Sequence, residues 1–160
     1  MWRTINYMNN IYNNRYWINE AGLVKNKDDK ILKTRKNNSG YSIIDLYYGG
    51  GLKKTIPIHR LVGETFCIKK NINHTDIDHI DKDKNNNHKD NIRFIDKSGN
   101  NRNTNKKNET GFRGVSFCNS GKFKSAIRIN GVKKHLGTFN TPEEAHEKYM
   151  EYYNMIMEEY

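Results

Sequence analysis

Asp78-His79-Ile80-Asp81, an Asn/Lys/Asp-rich run to Asp90, Asn91-Ile92-Arg93-Phe94-Ile95-Asp96, then Ser98-Gly99-Asn100-Asn101-Arg102: this stretch decides the reading of the 160-residue chain. Ile77 and Ile80 flank Asp78-His79 and predict a short strand end, and Ile92 to Ile95 predicts the return strand. Ser98 predicts an N-cap for a helix from Gly99 to about Lys106, with Asn100 in its first turns facing the hairpin. The result is strand, long polar loop, strand, helix.

Those residue types can cleave a phosphodiester. His79 belongs to the one side-chain class that titrates near neutrality, so it can take a proton from water. Asp78 supplies a hard oxygen for a divalent ion and Asn100 a second, from its side-chain carbonyl. An ion held by so few protein oxygens keeps positions for phosphate and water. Asn91 is placed to brace the loop or orient His79, and Arg93 or Arg102 to contact phosphate. Plainer readings compete. An Asp-His pair in a polar loop is commonly solvated surface, and one Asn in an Asn-rich chain carries little. His74 and His88 rival His79, and His59 on an apolar helix reads as structural. Asp81-Lys82-Asp83-Lys84-Asn85 lacks the central Gly and terminal Glu of a calcium loop. Only the ordered set singles out the site.

The rest of the chain names a partner. The formal net charge is +10, which favours an anionic polymer. Its distribution is uneven. Ile72 to Asp96 holds six Asp against three Lys and one Arg; Lys97 to Asn140 holds ten Lys/Arg and one acid, Glu109; Thr141 to Tyr160 holds six Glu and one Lys. Cys67 and Cys118 form no C-x-x-C pair, which argues against structural zinc and a disulfide framework and for a reducing, intracellular setting. The N-terminus lacks a signal-like apolar core and no run approaches membrane-spanning length, so no membrane partner is expected. The abundance of Asn, Lys and Ile is the bias of an AT-rich genome, pointing to a viral, phage or organellar source.

Three modules are expected. Residues 1–57 alternate in short stretches, Lys30 to Lys33 and Tyr41 to Tyr48, with turns at Asn37-Asn38-Ser39-Gly40 and Gly49-Gly50-Gly51. In residues 58–107, Ile58, Leu61, Val62 and Phe66 stand at helical spacing ahead of the stretch quoted first. In residues 108–160, Gly111 to Cys118, Lys122 to Asn130 and Val132 to Phe139 read as three strands. Asn130-Gly131 suits a two-residue I′ turn. Thr141-Pro142-Glu143-Glu144 opens a helix with a capping box, and Ala145, Tyr149, Tyr152, Tyr153 and Ile156 form its sheet-covering face. The middle strand alternates Phe123, Ile127 and Ile129 with Lys122, Lys124, Ala126 and Arg128, one face apolar and one cationic.

Two families are resembled. Ile58-His59-Arg60-Leu61-Val62, Thr65-Phe66, Asp78-His79-Ile80-Asp81, Asn86-Asn87, Asp90-Asn91-Ile92-Arg93 and Asn100-Asn101 resemble the HNH homing-type endonucleases. That resemblance implies a ββα-metal core with one divalent ion. It makes His79 the general base, Asp78 and Asn100 metal ligands and Asn91 the Asn that orders the loop. Asn100 stands where many relatives carry a third His, which is the H-N-N branch. Gly111-Phe112-Arg113-Gly114-Val115, Phe123, Ala126-Ile127-Arg128, Leu136-Gly137-Thr138-Phe139 and Thr141-Pro142-Glu143-Glu144-Ala145 are similar to the AP2 DNA-binding domain, with Phe123 where many members have Trp. There the sheet enters the major groove and the helix supports it, which makes Arg113, Lys122, Lys124, Arg128, Lys133 and Lys134 the DNA-facing set. Trp2, Gly22-Leu23-Val24 and Ser39-Gly40-Tyr41 resemble the small module that precedes HNH domains in phage and intron-encoded nucleases.

The expectation is an α+β, Mg²⁺-dependent (or Mn²⁺-dependent) DNA endonuclease acting on double-stranded DNA as a monomer or weak dimer. The alternatives are a catalytically inactive DNA-binding regulator and, behind it, an RNA binder. The latter suits an AP2-like sheet less, because A-form RNA hides its major groove.

Overall fold

The computed structural model describes residues 1–5, 12, 15–103, 108–129 and 131–158, without the side chains of Ser98 and Arg102. They form two compact units, Met1–Ile95 and Asp96–Tyr160, of α+β character with small antiparallel sheets.

In the first unit β1 (Trp2–Thr4), β2 (Tyr16–Asn19) and β3 (Val24–Asn26) make one antiparallel sheet. A second is made by β4 (Arg35–Lys36), β5 (Ser42–Gly49) and β6 (Leu52–Pro57). Pro57 ends β6, having no N–H to donate, and its φ of −65° leads directly into helix α1 (Ile58–Phe66). The apolar side of α1, through Ile58, Leu61 and Val62, shares one core with Ile18, Val24, Ile44, Leu46 and Ile56 of the sheets. The same core takes Ile77 from β7 (Asp76–His79), and Ile92 and Phe94 from β8 (Ile92–Ile95). Gly63 on α1 sets how near helix and strand come, for a Cβ there would stand 2.6 Å from Ile77 Cδ1.

The second unit begins with α2 (Lys97–Arg102). Its N-cap is Asp96, whose Oδ1 accepts from Gly99 N at 2.5 Å, and not Ser98. The strand β8 ends at Ile95, and Asp96 is the last extended residue before the helix, with a carboxylate oxygen in reach of the orphan N–H groups. The helix ends at Arg102, short of the predicted Lys106; residues 104–107 lie outside the described residues. Three antiparallel strands follow, β9 (Val115–Phe117), β10 (Phe123–Ile129) and β11 (Val132–Phe139), in the order β11-β10-β9. The first is shorter than predicted, because Gly111 and Gly114 take φ of +75° and +78° and the chain turns there. Gly131 has φ of +82°, as a tight hairpin requires; Asn130 is outside the described residues.

Helix α3 (Pro142–Met157) carries the predicted capping box. Thr141 Oγ1 accepts from Glu144 N at 3.2 Å, while Glu144 Oε2 accepts from Thr141 N at 3.4 Å. Ala145, Tyr149 and Ile156 are buried, and Ile127 of β10 packs against Tyr149 and Ile156. Among the described residues no helix is long and apolar enough to cross a membrane.

Candidate active site

A hairpin of two four-residue strands, β7 and β8, carries the stretch from Asp78 to Ile95. Asp78 pairs with Arg93 and His79 with Ile92 across β7 and β8. Side chains alternate along a strand, so Asp78 shares the face of Arg93, and His79 shares the face of Ile77 that meets α1. The Asp78 carboxylate is buried, and its Oδ2 accepts from Arg93 Nε at 3.1 Å and Nη2 at 3.0 Å. This charge-assisted pair is the most buried salt bridge among the described residues.

His79 is 5% exposed. Its Nε2 lies 3.3 Å from Asn87 Oδ1. Asn87 Nδ2 donates to the Asn85 carbonyl at 3.0 Å, which fixes the amide with its oxygen toward the imidazole. An amide oxygen only accepts. A neutral imidazole in this contact carries its proton on Nε2.

The loop that carries Asn87 is braced from below. Asn91 Nδ2 donates to Asn86 O at 2.7 Å and to Asp81 Oδ1 at 2.9 Å, and its Oδ1 accepts from Asp81 N at 3.0 Å. Asp81 also accepts from Asn86 Nδ2 at 2.7 Å and from Asp83 N at 2.8 Å. The Asn86 bond first, then those from Asn91 and Asp83, hold its carboxyl below the usual range. Lys82, at φ +67°, donates its N–H to His79 O at 3.0 Å and closes the turn that follows the histidine.

Other parts of the first unit reach this loop. The Asn37–Gly40 turn is closed by Asn37 Oδ1, which accepts from Ser39 N at 3.0 Å and Tyr41 N at 2.9 Å. Lys84 Nζ donates to Ser39 O at 3.0 Å, and Lys36 Nζ donates to Ser42 Oγ at 2.9 Å and to Asn85 Oδ1. Tyr41, following the turn, lies beside His79, and so does His59 from α1. His59, expected as a structural histidine on an apolar helix, is buried against His79, and its Nδ1 has no hydrogen-bond partner. Burial first, then the neighbouring His79 and Arg60, push its pKa down to about 4. Asn87, Tyr41 and the His59 contact escaped the sequence. Asn87 is the last of three consecutive Asn, where composition hides any one of them, and the ring contacts are tertiary.

The remaining predicted residues are in the second unit. Asn100 belongs to α2, and its N–H donates to Asp96 O at 3.0 Å. The Arg102 side chain lies outside the described set. Lys124, Arg128 and Lys133 are exposed, and the pairing of Arg128 with Lys133 puts both on the face away from Ile127. Lys134 pairs with Ile127 instead, and its ammonium lies over the Tyr152 ring of α3, 4.5 Å from the centroid. It is therefore not on the open cationic face. Lys122 is exposed just ahead of β10. Arg113 Nη2 donates to Asn101 O at 2.7 Å, and Arg113 and Arg128 line one cavity with Asn101, Gly114 and Tyr149. His74 is buried and His88 caps the turn at Lys89–Asn91.

No cluster of three or more His, Cys, Asp or Glu side chains suited to a metal occurs among the described residues. The proposed donors, a carboxylate and a carboxamide oxygen, are hard oxygens of the kind Mg²⁺ takes while keeping waters and phosphate oxygens. In donor chemistry they fit such an ion. Arg93 on Asp78 Oδ2 is a competitor that the ion must share or displace.

The chain is similar in structure to an HNH homing endonuclease. The solved structure is described as "DNA binding and cleavage by the HNH homing endonuclease I-HmuI". The TM-score is 0.57 at 26% identity, over 92% of this chain and 82% of that one. No protein-family model matches the sequence, and no curated protein matches it. The likeness extends over most of both units.

Proposed function

We propose that this chain is a metal-dependent DNA endonuclease of the HNH homing type, hydrolysing phosphodiester bonds with His79 as general base. One observation carries the reading. The hairpin of a fold similar to that of a DNA-cleaving enzyme holds a buried histidine with Nε2 on an amide oxygen, one residue from a buried carboxylate. His79 Nδ1 takes the proton of an attacking water, and the Asn87 oxygen stabilises the imidazolium that forms. Asn91 keeps the loop, and with it Asn87, in place. Asp78 and Asn100 would hold the divalent ion, Mg²⁺ or Mn²⁺, which supplies charge relief to the phosphoryl oxygens and the departing 3′ oxygen. Arg93 or Arg102 would contact phosphate, and the products are 3′-hydroxyl and 5′-phosphate ends. One site per chain makes a nick the default product.

Duplex DNA is the expected partner. In the AP2-like reading of the C-terminal sheet, its open face with Lys124, Arg128 and Lys133 enters the major groove, with Lys122 and Arg113 at its margin. Lys134 supports the helix instead. A second reading, a DNA-binding regulator without activity, draws on the Asp78–Arg93 pair, because a guanidinium holds the carboxylate a metal would need.

A supercoiled-plasmid assay separates the two, using AT-rich DNA with Mg²⁺ or Mn²⁺. Nicked circles with wild type, none in EDTA and none with Asp78→Ala support the endonuclease. Retained duplex binding without nicking under any of these conditions supports the regulator.

A further inference from the structure

Two rings from separate parts of the chain meet the ring of His79. Tyr41, next to the turn that leads into β5, stacks on the imidazole with centroids 6.0 Å apart and planes at 28°. His59 of α1 meets it edge-on at 5.0 Å and 72°, and Tyr41 and His59 lie 4.9 Å from one another. The α1–β7 approach that Gly63 permits brings His59 there, one helical turn before Gly63, as Ile77 is two strand positions before His79. We propose that Tyr41 and His59 are positioning residues that clamp the imidazole of His79, so that Nε2 stays on Asn87. The inference rests on the reading of His79 as the base, and it assigns the N-terminal module a part in the active site.

Further features support the clamp. An imidazole on its own has a broad, two-fold χ2 and two tautomers, and one hydrogen bond at 3.3 Å is a loose hold on both. Contact on the ring face and edge restricts the rotation that a bond of this length leaves. Tyr41 is itself pinned by the loop that carries Asn87: Lys84 Nζ lies 4.7 Å from the centroid of the Tyr41 ring and donates to Ser39 O, while Lys36 ties Ser42 to Asn85. One loop thus presents the acceptor to Nε2 and the support to Tyr41. His59 Nδ1, buried without a hydrogen-bond partner, is a cost to stability that an apolar ring would not carry, so stability alone does not account for the residue. Burial keeps His59 neutral at working pH, and a neutral neighbour does not oppose the charge His79 acquires.

The test uses the full chain as Tyr41→Phe, Tyr41→Ala and His59→Ala, with folding verified by amide spectra. Long-range ¹H–¹⁵N correlation reads the His79 tautomer without DNA, and single-turnover cleavage is measured beside duplex Kd. Wild type and Tyr41→Phe are expected to show a single Nε2–H tautomer and similar cleavage. Tyr41→Ala and His59→Ala are expected to give mixed tautomers and a cleavage rate down by roughly 10- to 100-fold at unchanged Kd. A single Nε2–H tautomer in both alanine variants overturns the clamp, as does a loss that appears in Kd alone. Should the wild type not cut, the tautomer still decides the clamp, and the reading of His79 as base falls separately.

Discussion

His59 shows how much one buried side chain commits the chain to a pH range. Its pKa is about 4 in the folded protein against an ordinary value of 6.5. Above 6.5 it is neutral in both states and its contribution is fully present. As pH falls the unfolded chain takes the proton first, so stability is lost between 6.5 and about 4. A shift of this size corresponds to on the order of 3 kcal/mol. His59→Phe is expected to flatten the dependence of unfolding free energy on pH across that window, measured by urea denaturation at several pH values; an unchanged slope counts against the buried neutral state. At this scale the sequence was only partly legible. The Asp78-His79 pair, Asn91 and Arg93 stand at ordered spacings that a reader can see. Asn87 was hidden because Asn85, Asn86 and Asn87 are alike in sequence, and only the fold shows which of them faces His79. Tyr41 lies 38 positions from His79, and its contact depends on a turn docking against a loop, which no local pattern encodes.

Among the elements, the C-terminal sheet and helix depend on one close approach. Gly114 has φ of +78°, and a Cβ there would stand 1.9 Å from the Tyr149 ring. Gly114→Ala combines left-handed strain with a clash against a packed ring, and is expected to destabilise the second unit by on the order of 2–4 kcal/mol. Thr141→Ala removes only the cap of α3, for about 1 kcal/mol. Urea denaturation of the full chain followed by circular dichroism measures both; equal effects would contradict the packing at Gly114. Elements with strong local chemistry were legible: the capping box of α3, the Asn-Gly hairpin and the apolar spacing of α1. The cap of α2 was not, because Asp96 and Ser98 are both good N-cap residues and only the end of β8 decides between them. The first strand of the C-terminal sheet was overdrawn because alternation continues through Gly111 and Gly114, where the backbone turns.

Over the whole molecule the net charge of +10 matters through where its cations point. If duplex DNA lies on the open face of the C-terminal sheet, Arg128→Gln and Lys133→Gln should each reduce the slope of log Kd against log salt by about 1. Lys134→Gln should leave that slope unchanged, since its ammonium lies over Tyr152 on the helix side. Equal slopes for all three variants would contradict the assignment of faces. The likeness to an HNH homing endonuclease over 92% of this chain makes DNA the polymer to test. The central claim is that His79 takes the proton from water in a DNA-cutting site. Its most direct test is single-turnover cleavage of end-labelled, AT-rich duplex by wild type and His79→Ala, with Kd measured on the same DNA. The account predicts equal Kd and a cleavage rate lower by roughly 10²- to 10⁴-fold in the variant; equal cleavage by both proteins would contradict it.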